Sequence, residues 1–142
     1  MCNNNEESYR SIAEILGVIN VLQQNANRAE TSLDTCDRGF LGCGTNSLNC
    51  NTRPVMLYLC CGMPLTMPTT KDNAGNGDSQ PMSSVFRVEK MDGASCTFRV
   101  LAENNEASGE FPYIATNSFF TMNLNCICCL RCLSDTYVEC ML

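Results

Sequence analysis

Histidine and tryptophan are both absent from these 142 residues. Without histidine the commonest general base near neutral pH is missing, and so is every zinc pattern that mixes cysteine with histidine. Basic residues are scarce: 9 Lys and Arg stand against 15 Asp and Glu, a formal net charge of −6. Such a chain has no basic footprint for a phosphate backbone, so no nucleic-acid partner is expected. No apolar run reaches the ~20 residues of a membrane span, so no membrane partner is expected either. The opening stretch MCNNNEESYR lacks the basic and apolar regions of a secretory signal. Synthesis in a reducing cytosol is therefore expected, where stable disulfides are rare.

Against these absences stand 12 cysteines, a richness usual in small disulfide scaffolds. The length suits a single domain that buries about two-thirds of the surface its unfolded chain exposes. Such a domain needs no disulfides merely to fold. The excess of thiols points to a use beyond the stability of one subunit.

Along the chain, residues 1–10 read as a flexible arm, 11–28 as a helix, 29–133 as a β domain and 134–142 as a tail. Ile12, Ile15, Leu16, Ile19 and Leu22 recur at helical spacing, and Ser11 with Glu14 fits a capping box. From Ala29 to Thr52 the composition is that of turns, with one short strand expected around Phe40 and Leu41. Arg53-Pro54 opens a strand that ends at the vicinal pair Cys60-Cys61, and Leu65 to Thr69 predicts a short return strand. Neighbouring cysteines bond to each other only with strain, so these two are expected to find different partners. Lys71 to Met82 reads as an exposed loop. Its Gly75-Asn76-Gly77 lacks the lysine and the following helix of a phosphate loop.

The clearest hairpin joins Ser84–Met91 to Ser95–Glu103 around Asp92-Gly93. A three-residue loop with a left-handed glycine puts Phe86, Val88, Cys96, Phe98 and Val100 on one face. It leaves Arg87, Glu89, Thr97 and Arg99 on the other, as a solvated face or as cross-strand pairs. Phe111 to Ala115 predicts a short strand and Thr116-Asn117 a turn. Phe119 to Cys128 follows as a core strand, with Phe120, Met122, Leu124, Cys126 and Cys128 facing inward. One helix and six or seven short strands predict a mainly β fold, an antiparallel sandwich or jelly-roll-like domain with one N-terminal amphipathic helix.

The segment from Cys126 to Cys132 holds four cysteines in seven residues. A metal site, a redox site and covalent linkage are the possible uses. Cysteine catalysis needs a base or cation to form the thiolate, and only Arg131 lies in the segment, so no enzyme and no catalytic residue are expected. Cys126, Cys129 and Cys132 have ligand spacing for zinc, but on a strand Cys129 faces away from Cys126 and Cys128. Cross-linking between subunits accounts for more of the thiols. Cys2, Cys36, Cys43, Cys50, Cys129, Cys132 and Cys140 are the candidates for it, lying in loops, at the termini or where the last strand leaves the core. Cys60, Cys61, Cys96, Cys126 and Cys128 are the candidates for the core or for bonds within the chain. No metal or other cofactor is assigned.

GFLG at Gly39–Gly42, NTRP with the following LY over Asn51–Tyr58, SVFRVE at Ser84–Glu89, SCTFRVL at Ser95–Leu101 and NLNCICCLRCL at Asn123–Leu133 occur in this order. Together they resemble the cysteine-rich spore coat protein Y/Z family, which includes exosporium protein Y of Bacillus-type endospores. The resemblance runs from about Ile12 to Leu133; Cys43, Cys61 and Cys140 are additions to the family pattern. It implies a structural protein of the outer spore layers, either the crust or the exosporium basal layer, made in the mother-cell cytoplasm. It also implies self-assembly, through hexameric rings, into a two-dimensional hexagonal lattice reinforced by disulfides, beside other coat or exosporium proteins. The alternative carried forward is a zinc-stabilised cysteine-rich binding module.

Overall fold

The computed structural model describes residues 10–26, 50–71, 81–105 and 111–139. Helix α1 (Arg10–Ala26) is followed by β1 (Val55–Leu59), β2 (Met67–Pro68), β3 (Met82–Ser83), β4 (Phe86–Asp92), β5 (Ser95–Glu103), β6 (Tyr113–Asn123) and β7 (Ile127–Cys132). Five strands form an antiparallel sheet in the order β6-β5-β4-β1-β7, and β2 pairs with β3 apart from it. The fold is mainly β with one N-terminal helix. The expected strand at Phe40 and Leu41 and the Gly75–Gly77 loop lie outside the described residues, as do Cys2, Cys36, Cys43 and Cys140.

The helix already includes Arg10, so Ser11 stands inside it rather than at a capping position. Leu16 and Ile19 are buried in the core, with Ile12 and Ala13 packed at its margin. Ile15 belongs to the opposite side: with Val18 and Val21 it is about half exposed. The apolar pattern therefore wraps further round the helix than the sheet covers.

The inner face of the sheet carries the core. Val55 and Leu57 of β1, Phe86 and Val88 of β4, and Cys96, Phe98 and Val100 of β5 are all buried there with Leu124 and Ile127. Phe120 lies edge-on to Phe86 at 4.9 Å and stacks on Phe98 at 5.3 Å. Truncating a ring in such a cluster, as in Phe98→Ala, typically costs about 3–5 kcal/mol.

The β4–β5 hairpin reaches its expected facing by an unexpected route. Its loop is two residues, Gly93-Ala94, between the paired Asp92 and Ser95, with Gly93 at φ +60°. A two-residue loop alone would send the wrong side chains inward. A bulge restores the parity: Val88 pairs with Phe98 but Lys90 pairs with Thr97, leaving Glu89 as the extra residue.

Strand β6 also corrects the expected layout. Tyr113–Asn123 is one strand, and the supposed turn at Thr116-Asn117 is an irregularity within it. Arg99 pairs with Phe119 and Leu101 with Ala115, so β6 spends two more residues than β5 there. Thr116 holds the distortion, donating its hydroxyl to the Val100 carbonyl at 2.5 Å.

Strands β1 and β4 share a single paired position, Val55 with Phe86. Continuing that register by two residues would set Arg53 opposite Val88. The side chain of Gln23, only 1% exposed, occupies the opening instead. Its Nε2 donates to the Val88 carbonyl at 2.8 Å and its Oε1 accepts the Arg53 N–H at 3.1 Å. A helix side chain thus stands in for two ladder partners that would otherwise be buried unpaired.

The opposite face of the sheet is polar and also covered. Arg87 and Arg99 are 5% and 8% exposed, so neither belongs to a solvated face. Arg87 donates to Thr52 Oγ1 and the Asn51 carbonyl as well as to Glu89. Arg99 donates to Glu89 and the Thr116 carbonyl, and lies over the Phe119 ring at 4.4 Å. The covering segment is itself clamped by the last residues described: Thr52 bridges to Thr136, and Asn51 exchanges two hydrogen bonds with the Val138 backbone. Arg53 and Asp135 add a two-pronged ion pair at 2.6 and 2.8 Å. Residues 134–139 are accordingly docked, with Val138 fully buried.

Candidate cross-linking site

Strand β1 ends at Leu59, and the chain reverses through Cys60, Cys61 and Gly62. The Gly62 N–H donates to the Leu59 carbonyl at 2.9 Å, and the Leu59 N–H to the Met63 carbonyl at 3.0 Å. Gly62 takes φ +87°, where a side chain would be strained. The two cysteines are held at the tip of a tight reversal rather than on opposite faces of a strand.

The partner strand arrives through a 3-10 turn, Leu124–Cys126, that links β6 to β7. Leu124 is fully buried and its N–H donates to the Ala94 carbonyl at 2.7 Å. Asn123 caps the turn by accepting the Asn125 N–H. This turn breaks the alternation expected through Cys128. Phe120, Met122 and Leu124 do face the core, but Ile127 then takes the next inward place and Cys128 is exposed.

Between β1 and β7, Tyr58 pairs with Cys129 and Leu59 with Ile127. Cys128 is the extra residue of a bulge, outside the ladder, and its sulfur bonds to Cys60 with Cα atoms 5.0 Å apart. Cys129 is exposed opposite Tyr58, Cys132 is exposed opposite Val55, and Cys61 is exposed beside Cys60. Cys61, Cys129 and Cys132 are free thiols. One end of the β1–β7 ladder therefore presents a disulfide with a free thiol next in sequence to each of its halves.

The remaining cysteines are placed differently. Cys96 is 1% exposed, and burial pushes its thiol up to about 12. Cys126 is half-buried in the 3-10 turn. Cys50, expected to reach a neighbouring subunit, is 2% exposed and already disulfide-bonded within the chain. It precedes the clamped Asn51-Thr52 segment, which draws it inside. Cys61, expected in the core or in an intrachain bond, is exposed and free because the Gly62 reversal turns it out.

Desolvation lifts the Cys132 thiol above its ordinary value; Arg53 opposes this and Asp135 adds to it. Among the described residues no three Cys, Asp or Glu side chains are grouped to hold a metal ion. Cys128 is committed to its disulfide. Bonding between sulfurs is what the cluster displays, in the Cys60–Cys128 disulfide. The pairing of Cys60 with Cys128 was not legible in advance, although two cysteine-rich strand ends become juxtaposed once β1 and β7 pair antiparallel.

A family model described as spore coat protein Z matches residues 1–112. The chain belongs to that family. The match takes in α1 to β5 with Cys60, Cys61 and Cys96, and ends before β6, so Cys126 to Cys132 lie beyond it. Comparison with curated proteins gives no match, and neither does comparison with solved structures. Membership of the spore coat protein Z family makes this a structural protein of the spore coat, at the spore surface and in the company of other coat proteins. Among the described residues no helix is long and apolar enough to cross a membrane.

Proposed function

We propose that this member of the spore coat protein Z family is a self-assembling subunit of the outermost spore layers, the crust or the exosporium basal layer. Copies associate into rings, hexamers by the family resemblance, and the rings tile a two-dimensional hexagonal lattice. Disulfides between copies then reinforce the sheet. Synthesis in the mother-cell cytoplasm keeps the surface thiols reduced, and release of the finished layer exposes them to oxidant. Heterologous contacts that close a ring suit such tiling.

The observation that carries this is the row of exposed free thiols at Cys61, Cys129 and Cys132 on a domain whose core is complete without them. Cys129 and Cys132 lie on the edge strand β7 and Cys61 in the reversal beside it, where a second copy can reach them. Electron microscopy of the purified protein with and without reductant tests it. Hexagonal sheets are expected, fragile in reductant and resistant without it. Assemblies that run wholly as monomers on non-reducing gels overturn the cross-linking.

A further inference from the structure

We propose that the Cys60–Cys128 bond is a thiol–disulfide exchange site for a second copy of this chain, so that cross-links form by exchange as well as by fresh oxidation. The inference rests on the self-assembly proposed above. Three features of the cluster carry it.

Access comes first. Cys128 is exposed on β7, a strand that has no partner on its outer edge among the described residues, and Cys60 is half-exposed in the reversal after β1. Exposed disulfides are the exchangeable ones. The bond of Cys50 offers a contrast inside the same molecule, since Cys50 is 2% exposed.

The second feature is freedom to open. Cys128 is the bulged residue and contributes no ladder pairing, while Val55, Met56, Leu57 and Tyr58 remain paired with β7. Neither Cys60 nor Cys128 belongs to the buried cluster. Breaking the bond therefore leaves the strands in register.

Third, neither free thiol can readily attack the sulfur next to it in sequence. Attack by Cys129 on Cys128, or by Cys61 on Cys60, would make a vicinal disulfide, which requires strain. A thiolate from another molecule meets no such constraint.

The step balances without an oxidant. The Cys129 thiol of one copy loses its proton, and its thiolate attacks the Cys128 sulfur of the next. A bond forms between the copies as the Cys60–Cys128 bond breaks. Cys60 leaves with the electron pair and takes up a proton. One disulfide is lost, one is gained, and the count of free thiols is unchanged.

The test uses the folded protein under anaerobic conditions with chelator, quenched in acid and mapped by mass spectrometry. The probe is a biotinylated peptide of residues 125–132 with serine at every cysteine but Cys129. Without oxidant it can join the protein only by exchange. An adduct at Cys128 is expected, formed about tenfold or more faster than any adduct at Cys50, in keeping with the dependence of exchange on access. The Cys60→Ser, Cys128→Ser double variant should give none at these positions. No adduct at Cys128, or an adduct at Cys50 just as fast, overturns the site.

In a second arm the whole protein is incubated alone under the same conditions. Covalent oligomers are expected with an unchanged thiol titre, and Cys129→Ser should reduce them several-fold. An undiminished yield in Cys129→Ser overturns Cys129 as the attacking group. Sedimentation of the same samples separates the two proposals. Sheets without anaerobic cross-links count against exchange alone, and a Cys128 adduct without sheets counts against assembly alone.

Discussion

Arg87 and Arg99 face each other across the β4–β5 ladder and share one carboxylate oxygen, Glu89 Oε1, each at 2.9 Å. Like charges opposite one another destabilise a sheet, and here both are largely buried. The bulge at Glu89 supplies the remedy, because the extra residue sets its carboxylate between the two guanidinium groups. Glu89→Gln keeps the shape and removes the compensating charge. It should lower unfolding free energy by about 2–4 kcal/mol in urea titrations, since breaking a buried pair leaves charge uncompensated. Glu103→Gln, at an exposed position, should change it by less than about 0.5 kcal/mol.

Gln23 gives a second prediction. Gln23→Met fills similar volume but leaves the Val88 carbonyl and the Arg53 N–H unpaired. A loss of about 2–4 kcal/mol is expected from two buried groups left unsatisfied. Hydrogen exchange should locate the damage, with the Arg53 amide losing protection well before the amides in the middle of β5. Unchanged protection at Arg53 would show that the bridge is dispensable.

Cys96 makes stability depend on alkaline pH. Its ordinary value of 9.0 applies in the unfolded chain, while burial raises the folded one to about 12. The folded state then holds a proton that the unfolded state has released, so this contribution is intact below pH 9 and is lost progressively between 9 and 12. The slope approaches about 1.4 kcal/mol per pH unit in that window. Stability curves of the parent and of Cys96→Ala should therefore converge as pH rises above 9. Parallel curves would contradict the burial of this thiol.

Removing the exposed bond should weaken the molecule without unfolding it. Cys60 and Cys128 are separated by 68 positions, and closing a loop of that size restricts the unfolded chain by about 4 kcal/mol. Cys60→Ser with Cys128→Ser should lower the melting temperature by several degrees while the far-ultraviolet circular dichroism keeps its shape. Collapse of the spectrum at room temperature would mean that the bond, rather than the aromatic and aliphatic core, holds the strands.

What was legible in the sequence follows the physics of side-chain facing. Leu16, Ile19, Phe86, Val88, Phe98 and Val100 announce themselves because period and polarity agree, and they do form the core. The bulge at Glu89 could not be read, since an extra residue leaves the local alternation intact on either side of it. Gln23 was hidden for another reason: a polar residue at a helical core position looks like an exposed one until its partners are known. At the candidate site, the abundance of thiols near Cys126–Cys132 was plain. The division between bonded, buried and exposed cysteines depends on the 3-10 turn at Leu124 and the bulge at Cys128, which no pattern in the sequence marks.

The amide of Gln23 makes the helix a mechanical part of the sheet. The β1–β4 seam has one direct pairing, and the next rung along it runs through a side chain of α1. Tension applied to the helix is passed to the seam instead of stopping at a hydrophobic contact. The same linkage would spread a load placed on either strand across both, and into the helix, before the seam gave way.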